Sequence, residues 1–172
     1  MLRLALARLR ARGRLTVEGR PRLGRRVRFD VAPGALVALG DGCRIGDGCR
    51  FHVGHGATVS IGAYAALGER CVLASHERIE IRDRARLGDE VVLVDFDHDL
   101  SDVERPVRQQ GLLTSPVVIG ERANVAAAAG VLRGVTVGDG AHVAVRAVVT
   151  HDVPAGARVE GVPARVKESR AP

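Results

Sequence analysis

The sequence predicts an all-β solenoid, a triangular prism in which every turn is made of three short parallel strands. Three observations lead to this fold class. An aliphatic residue followed by glycine recurs at a spacing of six, most of the hexads so defined share the same inward residue types, and only four residues in 172 are aromatic. A narrow prism has no room for rings, so its core must be aliphatic.

Eighteen hexads begin with an apolar residue, and they fall into six groups of three. Four positions after most of these starts lies a small or β-branched residue, such as Cys43, Ala65 or Val91. The pattern slips after every third hexad, so three hexads make one turn and the extra residues lie at a corner. The hexad starts are Val17, Leu23, Phe29; Leu39, Ile45, Phe51; Ile61, Leu67, Leu73; Ile81, Leu87, Leu93; Ile119, Val125, Val131; and Val137, Val143, Val149.

Each position of the hexad has an expected place in the prism. Turns hydrogen-bonded about 4.8 Å apart would make six turns about 29 Å long. The start residue points inward, and glycine after it suits a tight corner whose backbone conformation other residues resist. Cys43, Cys49 and Cys71 occupy the small inward position. We therefore expect buried spacers rather than redox or catalytic cysteines.

Composition narrows the function classes. The net charge is +6, and ten arginines fall within residues 1–28. So few aromatic residues disfavour nucleic-acid binding, which uses them to stack bases. No apolar run approaches the roughly 20 residues of a membrane span, and the opening segment lacks the apolar centre of a signal peptide. An odd number of cysteines suits a reducing compartment, so we expect a cytoplasmic protein.

The chain divides into three expected parts. Residues 1–14 form a short arginine-rich helix that caps the first turn, 15–153 form the prism, and 154–172 form a C-terminal tail. The basic first segment is either a solvated cap or a contact with an anionic membrane surface, and the sequence leaves both open.

The rhythm breaks after Leu93 and resumes at Ile119, which predicts a protruding loop over 95–115. Long excursions from a rigid scaffold often carry function. The residues alone leave His98 open as a catalytic base, a metal ligand or a surface histidine. A metal site needs several convergent ligands, and no spacing marks another histidine as its partner. The loop opens with Asp95, Asp97, His98 and Asp99.

Three local segments resemble the hexapeptide-repeat acyltransferases of left-handed parallel β-helix fold. The similarity is to the branch with the maltose, galactoside and xenobiotic acetyltransferases and the polysaccharide O-acetyltransferases, and it covers roughly 17–167. The segments are ERIEI at 77–81 with D-x-D-H-D at 95–99, SPVVIGE at 115–121, and VVTHDVPAGARVEGVPARV at 148–166.

The resemblance implies a homotrimer that transfers acetyl from acetyl-CoA, its co-substrate, to a hydroxyl or amine of a sugar or polysaccharide precursor, without a metal. By match, His98 is the general base, and Asp97 or Asp99 orients its ring. The backbone N–H of Ala127 would meet the tetrahedral oxyanion.

The cofactor groove departs from the family pattern. The W-I-G-[AS] segment of the family matches 124–127, so the tryptophan that often walls the site is absent, and a Gly-Ala-Gly stretch matches 144–146. The resemblance nevertheless implies cofactor binding by Ala126, Ala127, Val145, Arg146, Arg165 and Lys167. An asparagine that contacts the acceptor in the galactoside type matches Gly68.

Two alternatives from other function classes stay open. The lost tryptophan and the bulk of Val145 and Arg146 are compatible with a catalytically weak or inactive scaffold. A metal-dependent hydratase of the carbonic-anhydrase type shares the prism, but it needs three histidines across a subunit interface and a close H-x₄-H pair that this sequence lacks.

Overall fold

A computed structural model describes residues 14–169 of the chain, and the expected N-terminal helix lies outside these described residues except for Arg14. The described chain winds through six turns of three strands each. In chain order the strands are β1 (Leu15–Val17), β2 (Arg22–Leu23), β3 (Arg28–Val31), β4 (Leu36–Leu39), β5 (Arg44–Ile45), β6 (Arg50–Val53), β7 (Thr58–Ile61), β8 (Ala66–Leu67), β9 (Val72–Ser75), β10 (Arg78–Ile81), β11 (Arg86–Leu87), β12 (Val92–Val94), β13 (Phe96–His98), β14 (Leu112–Thr114), β15 (Val117–Ile119), β16 (Asn124–Val125), β17 (Gly130–Val131), β18 (Thr136–Val137), β19 (His142–Val143), β20 (Val148–Val149), β21 (Ala157–Gly161) and β22 (Ala164–Ser169).

The strands stack into three parallel sheets that form the faces of the prism. Face A has the order β1-β4-β7-β10-β15-β18, and face C has the order β3-β6-β9-β12-β17-β20. Face B runs β2-β5-β8-β11-β16-β19-β21, and β22 closes it antiparallel to β21. The corners between them are the A/B, B/C and C/A corners. No helix among the described residues has the length and apolarity to cross a membrane.

The strand register confirms the predicted fold class. On face A, Val17 pairs with Leu39, Leu39 with Ile61, and the ladder continues through the later hexad starts to Val137. Faces B and C pair their hexad starts in the same way. Because side chains alternate along a strand, this register points every start inward, and those of turns 2 to 6 are buried.

The small fifth positions fill the core beside the starts, as predicted. Cys43, Cys49 and Cys71 are fully buried and unpaired by disulfides. The thiols of Cys49 and Cys71 each lie 3.1 Å from a main-chain oxygen of the following turn. Burial raises the pKa of Cys43 to about 11, so this thiol is protonated and inert at neutral pH. Its environment suits a packing residue.

The predicted reason for glycine directly after a hexad start is wrong. Gly40, Gly46 and Gly88 do not have positive φ angles. A Cβ added to Gly46 would lie 2.3 Å from the carbonyl oxygen of Gly68, and one on Gly88 would lie 2.6 Å from the nitrogen of Ala127. Glycine is therefore needed because consecutive turns approach closely. The left-handed conformation falls two positions later, where it is held by residues as large as Tyr64.

Candidate active site

The protruding loop leaves the prism at the C/A corner of turn 4, and a buried carboxylate fixes its root. Asp95 is fully buried. Its carboxylate accepts hydrogen bonds from Ser75 Oγ at 2.5 Å, from the N–H of His76 at 2.7 Å and from the N–H of Glu77 at 3.0 Å. Asp95 therefore joins the start of the loop to the corner of the turn below.

Beyond Asp95 the chain forms a hairpin that carries His98. Strands β13 and β14 pair antiparallel, with His98 opposite Leu112. The ring of Phe96 meets the ring of His76 edge-on, with centroids 4.4 Å apart. This contact anchors one face of the hairpin, and His98 at its outer end is exposed to solvent.

Neither neighbouring carboxylate contacts the ring of His98 within the described chain. Asp97 Oδ1 accepts the backbone N–H of His98 at 2.8 Å. Asp99 Oδ1 accepts the N–H of Ser101 at 2.9 Å, and this hydrogen bond lowers the pKa of Asp99. Both acids therefore shape the loop backbone around His98, and the imidazole is open to a ligand or to another copy of the chain.

The tip of the loop is internally braced and exposes apolar side chains between polar ones. The Gln110 side chain accepts the N–H of Asp102 at 3.1 Å and donates to the carbonyls of Asp102 and Arg105, both at 2.8 Å. Leu100 is 62% exposed and Val103 91% exposed. The braced loop thus presents these two apolar side chains to solvent.

A series of aspartates bonds each even turn to the odd turn before it. At the A/B corner, the side chains of Asp41, Asp83 and Asp139 accept backbone N–H groups of the preceding turn, each at 2.8 Å. At the B/C corner, Asp47 accepts the N–H of Arg25 at 2.7 Å and Asp89 that of Glu69 at 2.8 Å. We call these contacts the aspartate caps.

The series is interrupted at one position. In turn 6 the B/C corner carries Val145 where the pattern requires an aspartate, because Val145 lies two residues after the hexad start Val143. The N–H that it would cap belongs to Ala127, and this N–H donates to no acceptor among the residues that the structure describes. Among the A/B and B/C corners of the odd turns that the structure describes, this amide is therefore the one left without a cap.

The remaining predicted cofactor residues lie around this open amide or on the last hairpin. Arg146 donates its N–H to the carbonyl of Ala127 at 3.0 Å, so 126–127 and 145–146 occupy adjacent rungs of one corner. Val145 is 62% exposed. Arg165 lies opposite Glu160 on β22, and Lys167 Nζ lies 3.6 Å from a carboxylate oxygen of Glu160. The corner thus combines a free N–H with exposed cationic side chains.

A single chain does not bring His98 and the Ala127 amide together. His98 extends from the C/A corner, between faces C and A, whereas Ala127 lies at the B/C corner. The two corners bound opposite edges of face C. A site that uses both therefore requires two copies of the chain, placed with the C/A corner of one against the B/C corner of the next.

The structure also places the other histidines. His52 and His76 lie on neighbouring turns at the C/A side of face C, with ring centroids 6.1 Å apart and ring planes tilted by 52°. His142 Nδ1 lies 2.9 Å from the side-chain nitrogen of Asn124. Within residues 14–169 of one chain, no three His, Cys, Asp or Glu side chains converge as metal ligands would.

The aspartate caps escaped the sequence analysis, although a signal for them exists. Gly-Asp recurs at 40–41, 46–47, 88–89 and 138–139, always directly after a hexad start. That Val145 replaces an aspartate becomes apparent only when equivalent positions of successive turns are compared.

Comparisons with known proteins agree with this architecture. No family model matches the chain. A probable acetyltransferase of Mycobacterium tuberculosis is 35% identical over 99 residues, which is 58% of this chain and 33% of the relative. The chain therefore spans about a third of the length of that relative.

Solved structures match over more of their length. A hexapeptide-repeat acetyltransferase of Vibrio cholerae, solved with acetyl-CoA, superimposes with a TM-score of 0.65 at 26% identity, over 80% of this chain and 71% of that one. A point mutant of AntD, an N-acyltransferase of Bacillus cereus solved with dTDP and coenzyme A, gives 0.77 at 20% identity, over 91% and 84%. With the six-turn register, these similarities show that the chain has the parallel β-helix fold of hexapeptide-repeat proteins, and the proteins that it resembles are acetyl- and acyltransferases.

Proposed function

We propose that the protein transfers an acyl group, most simply acetyl, from coenzyme A to a hydroxyl or amine of a sugar or polysaccharide precursor. The observation that carries the proposal is the uncapped N–H of Ala127. The matching amides at the other A/B and B/C corners of the odd turns are capped, and this one has no acceptor within the described chain. It is therefore available to donate a hydrogen bond to an oxyanion that forms only during the reaction. The acetyl-CoA complex of the V. cholerae relative supports the choice of donor.

The reaction would use His98 as general base. The neutral imidazole removes the proton from the acceptor oxygen or nitrogen as that atom attacks the thioester carbonyl. The negative charge that develops on the carbonyl oxygen is met by the N–H of Ala127. Collapse of the tetrahedral intermediate forms the new ester or amide, and the imidazolium returns the proton to the departing thiolate. His98 thus acts first as base and then as acid, and it regains its starting protonation.

The B/C corner fits the donor in charge. Coenzyme A carries several phosphate charges, and the exposed guanidinium groups of Arg146 and Arg165 make no ion pair within the described chain. Lys167 adds a third cation near Glu160. We assign the phosphates to Arg146, Arg165 and Lys167, and the pantetheine arm to the surface of Ala126, Ala127 and Val145.

A homotrimer would complete the site. The outward side of face C in turns 3 to 6 is apolar, with one column formed by Val72, Val92, Gly130 and Val148. If three copies turn face C toward a common axis, the C/A corner of each meets the B/C corner of its neighbour. His98 of one copy then faces the Ala127 amide of the next, and the apolar tip of the loop is covered.

The test is thiol release from acetyl-CoA with a panel of sugars and amino sugars. His98→Ala should lower kcat by about 10²–10⁴-fold, because general-base catalysis contributes that much. The matched control is His55→Ala, an exposed histidine at the C/A corner of an earlier turn, which should leave the rate unchanged. Equal thiol release by the parent and His98→Ala proteins would remove His98 from the mechanism.

A second candidate is a scaffold that does not transfer acyl groups, and the bulk of Val145 and Arg146 favours it. Coenzyme A titrated calorimetrically into the purified chain distinguishes the two. Binding that weakens when Arg146 and Arg165 are changed to Gln supports the acyltransferase, and the absence of binding supports the scaffold.

A further inference from the structure

A second concave surface lies at the A/B corner of turns 1 to 3, far from the Ala127 corner. It encloses about 700 Å³, within the range of small-molecule sites. We call it the corner pocket. Its lining residues are Gly19, Arg20, Pro21, Arg22, Asp41, Gly42, Arg44 and Tyr64.

Tyr64 is a fixed aromatic platform in this pocket. Its side chain is 58% exposed although its backbone has a φ of 57°, a conformation that is costly for a bulky residue. The ring lies against Gly42, where an added Cβ would come within 2.7 Å of two ring carbons. The hydroxyl lies 3.3 Å from Asp41 Oδ2. One ring face is therefore held in place while the other is open to solvent.

Three arginines surround the platform with uncompensated charge. Arg20, Arg22 and Arg44 make no salt bridge among residues 14–169, whereas Arg70 and Arg82 on other corners do. The acid of the pocket is Asp41, whose Oδ1 accepts the N–H of Arg20 at 2.8 Å while Oδ2 faces the Tyr64 hydroxyl. The pocket thus carries a formal excess of two positive charges.

The position of the pocket keeps it free in the assembly. In a triangular cross-section the A/B corner is opposite face C, the face that the proposed trimer turns inward. The corner pocket would therefore lie on the outer edge of each subunit, separate from the interface and from the donor groove.

We propose that the corner pocket binds an anionic sugar, a carbohydrate unit that carries a carboxylate or phosphate. The C–H face of a sugar ring stacks on the open face of Tyr64, and the arginines pair its negative group. Asp41 has lone pairs left to accept sugar hydroxyls. A membrane surface is disfavoured because it is flat and the pocket is concave. Binding here needs no acyl transfer, so it stands or falls separately from the proposed activity.

The experiment is a calorimetric titration of the full chain with trigalacturonate, with neutral maltotriose and UDP as comparison ligands. We expect saturable binding of trigalacturonate, at least about tenfold tighter than maltotriose. Tyr64→Gly, and Arg22→Gln combined with Arg44→Gln, should each weaken it by about tenfold or more. Gly42 holds the position equivalent to Tyr64 in turn 2 with a positive φ, so Tyr64→Gly should fold.

The matched control is Arg86→Gln, which removes an exposed face-B arginine two turns beyond Arg44 and outside the pocket, and should leave the affinity unchanged. An equal loss in this control would mean nonspecific charge attraction and would overturn the proposal. Equal binding of maltotriose, tighter binding of UDP, or no saturation with trigalacturonate would each overturn it as well.

Discussion

The N–H of Ala127 is free because residue 145 is valine rather than aspartate. Placing a cap at residue 145 tests directly what this N–H does. In Val145→Asp or Val145→Asn a side-chain oxygen should accept the N–H of Ala127, as Asp89 accepts that of Glu69. We expect kcat for thiol release to fall by about 10²–10³-fold, the usual contribution of one oxyanion donor. The free energy of unfolding should rise by about 1 kcal/mol, measured by urea denaturation.

The two Val145 variants distinguish the effect of the new hydrogen bond from the effect of the added negative charge. The asparagine adds no charge, so a loss seen only with the aspartate would indicate repulsion of coenzyme A phosphates. Full activity in Val145→Asn, with a raised unfolding free energy, would mean that the cap forms and that the amide plays no part in the reaction.

The glycines after the hexad starts should be intolerant of even one methyl group. Gly46→Ala places a Cβ 2.3 Å from a backbone oxygen of the next turn, so the turns must separate. We expect the free energy of unfolding to fall by about 2–3 kcal/mol. Gly130→Ala is the control, since nothing lies within 4 Å of its added Cβ, and its stability should match the parent. Equal stability of both variants would contradict the close-approach argument.

Among the elements, the root of the protruding loop depends most on a single side chain. Asp95→Ala leaves the Ser75 hydroxyl and the N–H groups of His76 and Glu77 without their acceptor. Buried unpaired donors cost about 1–3 kcal/mol each, so we expect a loss of about 3 kcal/mol in unfolding free energy. The loop should also become sensitive to limited proteolysis.

Asp97→Ala is the control for Asp95. It lies on the same hairpin, is exposed, and among residues 14–169 accepts only the N–H of His98. Its unfolding free energy should change by less than about 0.5 kcal/mol. If Asp97→Ala destabilised the chain as much as Asp95→Ala, the buried carboxylate would not be the anchor.

The elements also show what a sequence does and does not specify. The strands could be predicted because each hexad start contacts the equivalent start of the next turn, as Ile61 does with Ile81. The repeat in the sequence therefore marks the contacting residues directly. The hairpin of β13 and β14 could not, because it depends on Asp95 reaching back 20 residues to Ser75. His98 was a candidate from the loop itself and took its role as general base from the resemblance. Ala127 entered through the resemblance alone, and no local pattern around it reveals the free amide.

For the whole molecule, the expected assembly rests on the apolar outer side of face C. Val92→Glu would place a charge in the centre of that surface, where Val92 is 39% exposed in the single chain. Burying an unpaired carboxylate is costly, so we expect the trimer to dissociate and thiol release to fall with it. Sedimentation velocity measures the mass directly.

Thr136→Glu introduces the same charge on face A and serves as the control. It should remain trimeric and active. A Val92→Glu protein that stays trimeric would place the interface on another face, and a parent protein that sediments as a monomer would contradict the assembly altogether.

The aspartate caps have a consequence for how such a chain changes length during evolution. Within the described turns they join 1 to 2, 3 to 4, and 5 to 6, while the A/B and B/C corners between these pairs have none. Duplication or deletion of a pair keeps each cap with its partner. Gain or loss of a single turn leaves an aspartate without its amide or an amide without its aspartate. This lineage should therefore gain and lose turns in pairs.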